Sequence, residues 1–150
     1  MEATGRDPQA LAEACARSMW ADDQASQGLG MALEEIGPGR AVLSMTVRPE
    51  QCNGHGMCHG GFIFTLADSA FAFACNSYNQ RVVAQQAAVT FISSVYAGER
   101  LTAEAREVAR FGRSGIYDVA VTKADGSLIA SFRGHSRSVK GTHLPEASAP

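Results

Sequence analysis

Apolar residues recur along this chain with two different periods, and the change of period divides it. Asp7-Pro8 offers a capping side chain followed by a proline suited to the first helical turn. Leu11, Cys15 and Met19 then fall on one stripe, with Ala12, Ala16 and Trp20 beside them. That spacing predicts a surface helix, with Glu13 placed to pair with Arg17 four residues on. Gly28 and Gly30 break the pattern. Residues 31–36 and 41–47, separated by Gly37-Pro38-Gly39, read as a β-hairpin, and Pro49 ends its second strand. From Gly60 to Cys75 the chain is apolar on every side, through Phe62, Ile63, Phe64, Leu66, Ala67 and on to Ala74. A run of that length predicts a helix buried all round, about 24 Å long and too short to span a membrane.

After Asn79 the period shortens. Four β-like segments, 82–95, 101–110, 116–123 and 128–139, follow with no helix between them. Ala87, Val89 and Phe91 alternate with residues of the opposite face, as do Tyr117, Val119 and Val121. Turns are signalled at Ala97-Gly98, Gly112 to Gly115 and Asp125-Gly126. The order helix, two strands, apolar helix, four strands predicts an α+β fold: an antiparallel sheet of about six strands curled around the central helix. The expected organisation is one domain over residues 1–150, with an N-terminal helical extension at 1–27 and a flexible tail at 141–150. The strand after the central helix is long and apolar, and an open edge of that kind calls for a partner, so a dimer is expected.

Composition narrows the function. Hydrophobic content of 45% against 19% charged residues describes a folded globular chain. A net charge of −2 without a basic cluster argues against nucleic acid as a partner. The N-terminus shows no basic and apolar export pattern, and the four cysteines are scattered. A cytoplasmic protein with reduced thiols and no membrane association is the expectation.

Two features carry chemistry. The start of the apolar helix offers unpaired N–H groups from His59 to Phe62, and Gly60 and Gly61 leave them open to an acyl carbonyl or oxyanion. Glycines there would equally serve close packing of loop on helix. Asp68 is an ionisable residue inside an apolar run, where a carboxylate is costly unless compensated. It lies eight residues, about 12 Å, beyond Gly60 on the same helix. If both act on one substrate they come from two chains, as antiparallel helices of a two-fold dimer would supply them. Alternatively Asp68 bonds to neighbours such as Thr65 or Ser69. Cys52, His55, Cys58 and His59 are potential metal ligands, but so short a segment does not close a tetrahedron, and no metal is expected. Cys58-His59 is a poor nucleophile–base pair, because adjacent side chains seldom face one another.

The strings Asn53-Gly54-His55-Gly56, Cys58-His59-Gly60-Gly61, Leu66-Ala67-Asp68-Ser69-Ala70 and Ala74-Cys75-Asn76 resemble the hotdog-fold thioesterases. Among these they are most similar to the phenylacetic-acid-degradation thioesterase family. The resemblance covers residues 33–139, and it extends to the N-terminal helix. It implies a sheet wrapped around a central helix, strand-paired dimers assembled as dimers of dimers, and hydrolysis of acyl-coenzyme A thioesters. No cofactor is implied, since coenzyme A is part of the substrate. By the same resemblance Asp68 is the catalytic carboxylate, as nucleophile or general base, and the Gly60 N–H polarises the carbonyl. Asn53 and His59 orient substrate, water or loop. Gly61, Ser69 and the Gly112-Arg113-Ser114 turn contact the substrate, the turn meeting the nucleotide part. Phenylacetyl or a ring-hydroxylated relative is the implied acyl group, a place in aromatic catabolism. Two other functions fit the fold: an acyl-thioester dehydratase or hydratase, and a non-catalytic acyl-CoA-binding module. The first wants a His and a carboxylate in one site, and the second has no use for Asp68.

Overall fold

The computed structural model describes residues 6–145. Asp7 caps α1 (Pro8–Asp22), its carboxylate accepting from the Ala10 N–H at 2.8 Å. Glu13, expected to pair with Arg17, accepts instead from Gln9 Nε2 at 3.0 Å. A short α2 (Gln24–Gly28), not anticipated from the periodicity, is started by Asp23, whose carboxylate takes both the N–H and the hydroxyl of Ser26. The hairpin forms where the pattern puts it, as β1 (Ala32–Gly37) and β2 (Arg40–Thr46). Its two-residue turn has Gly39 at a φ of 67°. Then come α3 (Gly60–Cys75), β3 (Val82–Phe91), β4 (Arg100–Phe111), β5 (Ser114–Lys123) and β6 (Leu128–Ser138).

The strands form one six-stranded antiparallel sheet in the order β1-β2-β4-β5-β6-β3. The chain therefore leaves α3 for the far edge of the sheet, where β3 pairs only with β6. The sheet curls around α3, which touches all six strands. This is the hotdog arrangement that the resemblance implied. Leu66, Phe71 and Phe73 are fully buried against it, each worth about 1.5–3 kcal/mol of transfer free energy. Phe71 packs on Tyr117 and Phe132 at ring separations of 5.6 and 5.8 Å. Gly134 on β6 makes that approach possible, because a Cβ there would stand 2.8 Å from the Phe71 ring.

The structure departs from the sequence pattern in three places. First, α3 is not buried all round. The sheet covers one side and α1 and α2 a flank, with Trp20 against Phe73 and Ser26 on Ser69. A stripe of Gly61, Thr65, Asp68 and Ala72 stays partly open. Second, β3 stops at Phe91 rather than Val95, because residues 92–96 change partners. Ile92 and Ser93 both bond the Ile129 carbonyl, while Val95 and Tyr96 pair with the loop before α3. Third, of the tail expected to be flexible at 141–150, residues 141–144 are tied down, while 146–150 lie outside the described residues. Asn79 Oδ1 accepts from the N–H groups of His143 and Leu144, and His143 Nε2 meets Asn76 Oδ1 at 2.7 Å. Among the described residues, no helix is long and apolar enough to cross a membrane.

Adding a methyl group at Gly134 must push the Phe71 ring out of its packed position. Gly134→Ala is expected to lower the unfolding free energy by about 1–3 kcal/mol, read from urea denaturation. An unchanged midpoint would show that the helix does not rest on the sheet at this point.

Candidate active site

The loop before α3 is built to deliver a helix N-terminus at a fixed place. The Asn53 side-chain oxygen accepts from the N–H groups of His55 and Met57, at 2.9 and 3.2 Å, and so shapes the turn. Cys58 N–H bonds the Val95 carbonyl at 2.7 Å and His59 N–H the Gln51 carbonyl at 2.8 Å. Gln51 is itself buried. His59 is the N-cap of α3, its Nδ1 accepting from the Gly61 N–H at 3.0 Å. A neutral His59 must therefore carry its proton on Nε2. With Gly61 satisfied, the Gly60 N–H is a donor without a partner among the described residues, at the positive end of the helix dipole. The Phe91 ring lies over Gly60, so close that a Cβ there would meet its Cζ at 2.8 Å. Yet Phe91 is 51% exposed.

Asp68 projects from the open stripe two turns further along α3. Its nearest hydroxyl neighbours are occupied elsewhere. Thr65 Oγ1 donates back to the Gly61 carbonyl at 2.8 Å, and Ser69 Oγ lies 2.8 Å from Ser26 Oγ of α2. Among the described residues no hydrogen bond or ion pair reaches the Asp68 carboxylate. Loss of water around it raises its pKa above the ordinary carboxylate value. Cys75, seven residues on and on the same face, is pushed up to about 12, first by burial and further by the Asp68 charge.

The Gly112-Arg113-Ser114 turn lies at the opposite end of α3. Gly112 and Ser114 line a cleft of ≈ 370 Å³ together with Cys75, Tyr78 and Tyr117. Arg113 is exposed on a neighbouring cleft with Lys140, and its carbonyl accepts from Ser138 N–H at 2.7 Å. Within one chain the nine candidate residues thus form three groups: Asn53, His59, Gly60 and Gly61 at the helix start, Asp68 and Ser69 in its middle, and the turn near its end. The first and last groups are about 24 Å apart by the helical rise. Among the described residues, no group of three or more potential ligands converges on a metal position.

Two features are missed by the sequence pattern. Phe91, which shares a face of β3 with Ala87 and Val89 by alternation, forms a wall over the helix N-terminus. Glu107 accepts from the Tyr78 and Tyr117 hydroxyls at 2.9 and 3.1 Å on one oxygen, with Arg110 at 3.4 Å. A signal for it exists in β4, where Leu101, Ala103 and Ala105 alternate inward and put a carboxylate at the next inward position.

Comparison with known proteins shows the family of the chain. The thioesterase superfamily model matches residues 55–130. The acyl-coenzyme A thioesterase PaaI of Escherichia coli (strain K12) is 38% identical over 132 residues, covering 88% of this chain and 94% of that protein. The solved structure of the E. coli PaaI protein, from the phenylacetic acid degradation operon, superposes with a TM-score of 0.89. Its identity is 36%, covering 91% of this chain and 99% of that one. The TT0310 protein of Thermus thermophilus superposes with a TM-score of 0.75 at 37% identity, over 78% and 98% of the two chains.

A desolvated carboxylate without a partner costs stability in its charged form. The folded chain holds the Asp68 proton more tightly than the unfolded one, so stability falls as pH rises through that window. Asp68→Asn is expected to melt higher than the wild type at pH 7. The difference should vanish as pH drops to the ordinary carboxylate value of about 3.9. A variant less stable than wild type at pH 7 would mean that Asp68 has a stabilising partner.

Proposed function

The chain belongs to the thioesterase superfamily and is an acyl-coenzyme A thioester hydrolase, and from that premise we propose which residues act and on what. The thioester carbonyl accepts a hydrogen bond from the Gly60 N–H of one chain. Asp68 of a second chain acts on the same carbon. The observation that carries this reading is the Asp68 carboxylate itself: desolvated, partly open to solvent, and unbonded while Thr65 and Ser69 bond elsewhere. A group kept that way at a stability cost suits proton transfer, for which a raised pKa is an advantage. Asp68 takes a proton from water as the water attacks. The tetrahedral oxyanion rests against the helix N-terminus; as the carbonyl re-forms the C–S bond breaks, and Asp68 passes its proton to the sulfur, so that coenzyme A leaves as the thiol.

The separation of about 12 Å between Gly60 and Asp68 supports a site shared by two subunits. The open stripe on α3 and the free edge of β3 are the surfaces a two-fold mate would cover. Antiparallel α3 helices bring the start of one against the middle of the other. The Gly112-Arg113-Ser114 turn of the Asp68-bearing chain then lies about 10 Å further along, suited to the nucleotide part of coenzyme A. Asn53 holds the loop and His59 the helix start, and neither needs to touch the reacting atoms. The acyl group proposed is phenylacetyl or a ring-hydroxylated relative, and the exposed Phe91 ring beside Gly60 offers it an aromatic wall.

Asp68→Asn should keep its fold and lose at least about 100-fold in turnover of arylacetyl-CoA, followed by free-thiol release. A folded variant with near-wild-type turnover removes Asp68 from the chemistry. In a single turnover in ¹⁸O-water, label should enter the released acid and not Asp68, whereas a labelled Asp68 would make it the nucleophile. The shared site is tested by complementation. Gly60→Ala is expected to fold, because the exposed Phe91 ring can swing aside, but to be inactive. Mixed Gly60→Ala and Asp68→Asn chains should recover up to half of the wild-type activity per heterodimer, and heterodimers without activity would place both groups' action within one chain.

A further inference from the structure

Cys52 and Cys58 face each other across a small antiparallel bridge at the base of the loop that leads into α3. His59 N–H bonds the Gln51 carbonyl and Asn53 N–H the Met57 carbonyl, both at 2.8 Å. These bonds flank the two cysteines without involving them, which makes residues 52 and 58 a non-hydrogen-bonded pair. In such a pair the Cα atoms are about 4.5 Å apart and the side chains leave the same face. A disulfide needs Cα atoms about 4.4–6.8 Å apart, so this backbone accepts one as it stands. Both residues are free thiols, each resting on a backbone carbonyl, Cys52 Sγ on Arg48 at 3.5 Å and Cys58 Sγ on His59 at 3.7 Å. Those are weak contacts that rotation of either side chain gives up cheaply.

We propose that Cys52 and Cys58 are a thiol-oxidation site, at which a peroxide forms an intrachain disulfide that staples the loop before α3. Cys52 is half-buried and takes the first step. Its sulfur attacks the peroxide, the O–O bond breaks, one water leaves and a sulfenic acid forms. Cys58 is buried, and burial, with the neighbouring Cys52, pushes its thiol up to about 11, so it is slow toward oxidant in solution. It is, however, placed to attack the oxidised Cys52 sulfur, which expels the second water. Two thiols thereby give two electrons and two protons to the peroxide, and a small thiol reductant reverses the change. The other two cysteines, Cys15 and Cys75, are buried and lie outside this bridge. The staple closes the segment that Asn53 shapes and fixes the approach of His59 to the helix start. It does not depend on how Asp68 acts.

The test is to treat the full-length protein with hydrogen peroxide, alkylate it under denaturing conditions and map the peptides. The expected product is one chain lighter by two hydrogen atoms, with Cys52 joined to Cys58 and with Cys15 and Cys75 alkylated. Its Tm should rise and return with dithiothreitol, because the cross-link restricts the unfolded chain. Cys52→Ser should fold, leave Cys58 alkylatable after peroxide and show no rise in Tm. Cys52 and Cys58 both alkylatable after treatment would overturn the proposal. So would a disulfide between two chains, or sulfinic acid at Cys52 with Cys58 free.

Discussion

The structure depends on hiding one apolar helix. A sixteen-residue segment this hydrophobic is costly to leave in water, and six strands curl around it to cover most of its surface. Contact is made close by small residues at the crossing points. Ala67, Ala70 and Ala74 are fully buried on the helix, and Gly134 on the sheet leaves room for the Phe71 ring. The cover is nevertheless incomplete. A twisted sheet wraps one side of a helix, and α1 and α2 reach only one flank, so the open stripe follows from the same geometry that makes the core.

That stripe is where Thr65 and Asp68 sit. A carboxylate on any covered face of α3 would have to find a partner or lose its charge. On the stripe, Asp68 keeps some access to water while its surroundings still raise its pKa. At the helix start the same economy holds for donors. His59 satisfies Gly61, Asn53 satisfies His55 and Met57, and the Gly60 N–H at the first helical position is left without a partner among the described residues. A donor and a carboxylate left over on one helix, about 12 Å apart, are the two features that the proposed reaction between chains would bring together.

The surface away from the helix is organised differently. Arg40 bridges Glu35 and Glu104, Glu104 also holds Arg106, and Arg133 meets Asp118. These pairs are largely exposed and screened by water, so they mark the outer face of the sheet more than they hold it together. The inward Glu107 is of another kind. The alternation of β4 brings it to the inner face, where two tyrosine hydroxyls satisfy it beside the end of α3, and the strand bulges only after it, before Ala109.

Much of this is legible in the chain alone, because it is written in local patterns. The Asp7-Pro8 cap, the hairpin turn at Gly39, the alternation in β3 and β5 and the start of α3 at Gly60 all depend on neighbours a few residues away. The conflict at Asp68 is equally legible, since an ionisable residue in an apolar run needs no partner to be noticed. What the sequence could not decide concerns contacts between distant segments. By pattern the helix is apolar all round, and only the reach of the sheet and of α1 and α2 selects which face stays open. β3 loses its last residues because Val95 and Tyr96 find partners in the 52–58 loop, some forty residues back. Residues 141–144 are held by Asn76 and Asn79, which no local pattern connects with them. Periodicity reports which residues share a face; only the tertiary structure decides what that face meets, because burial is settled between segments and not within them.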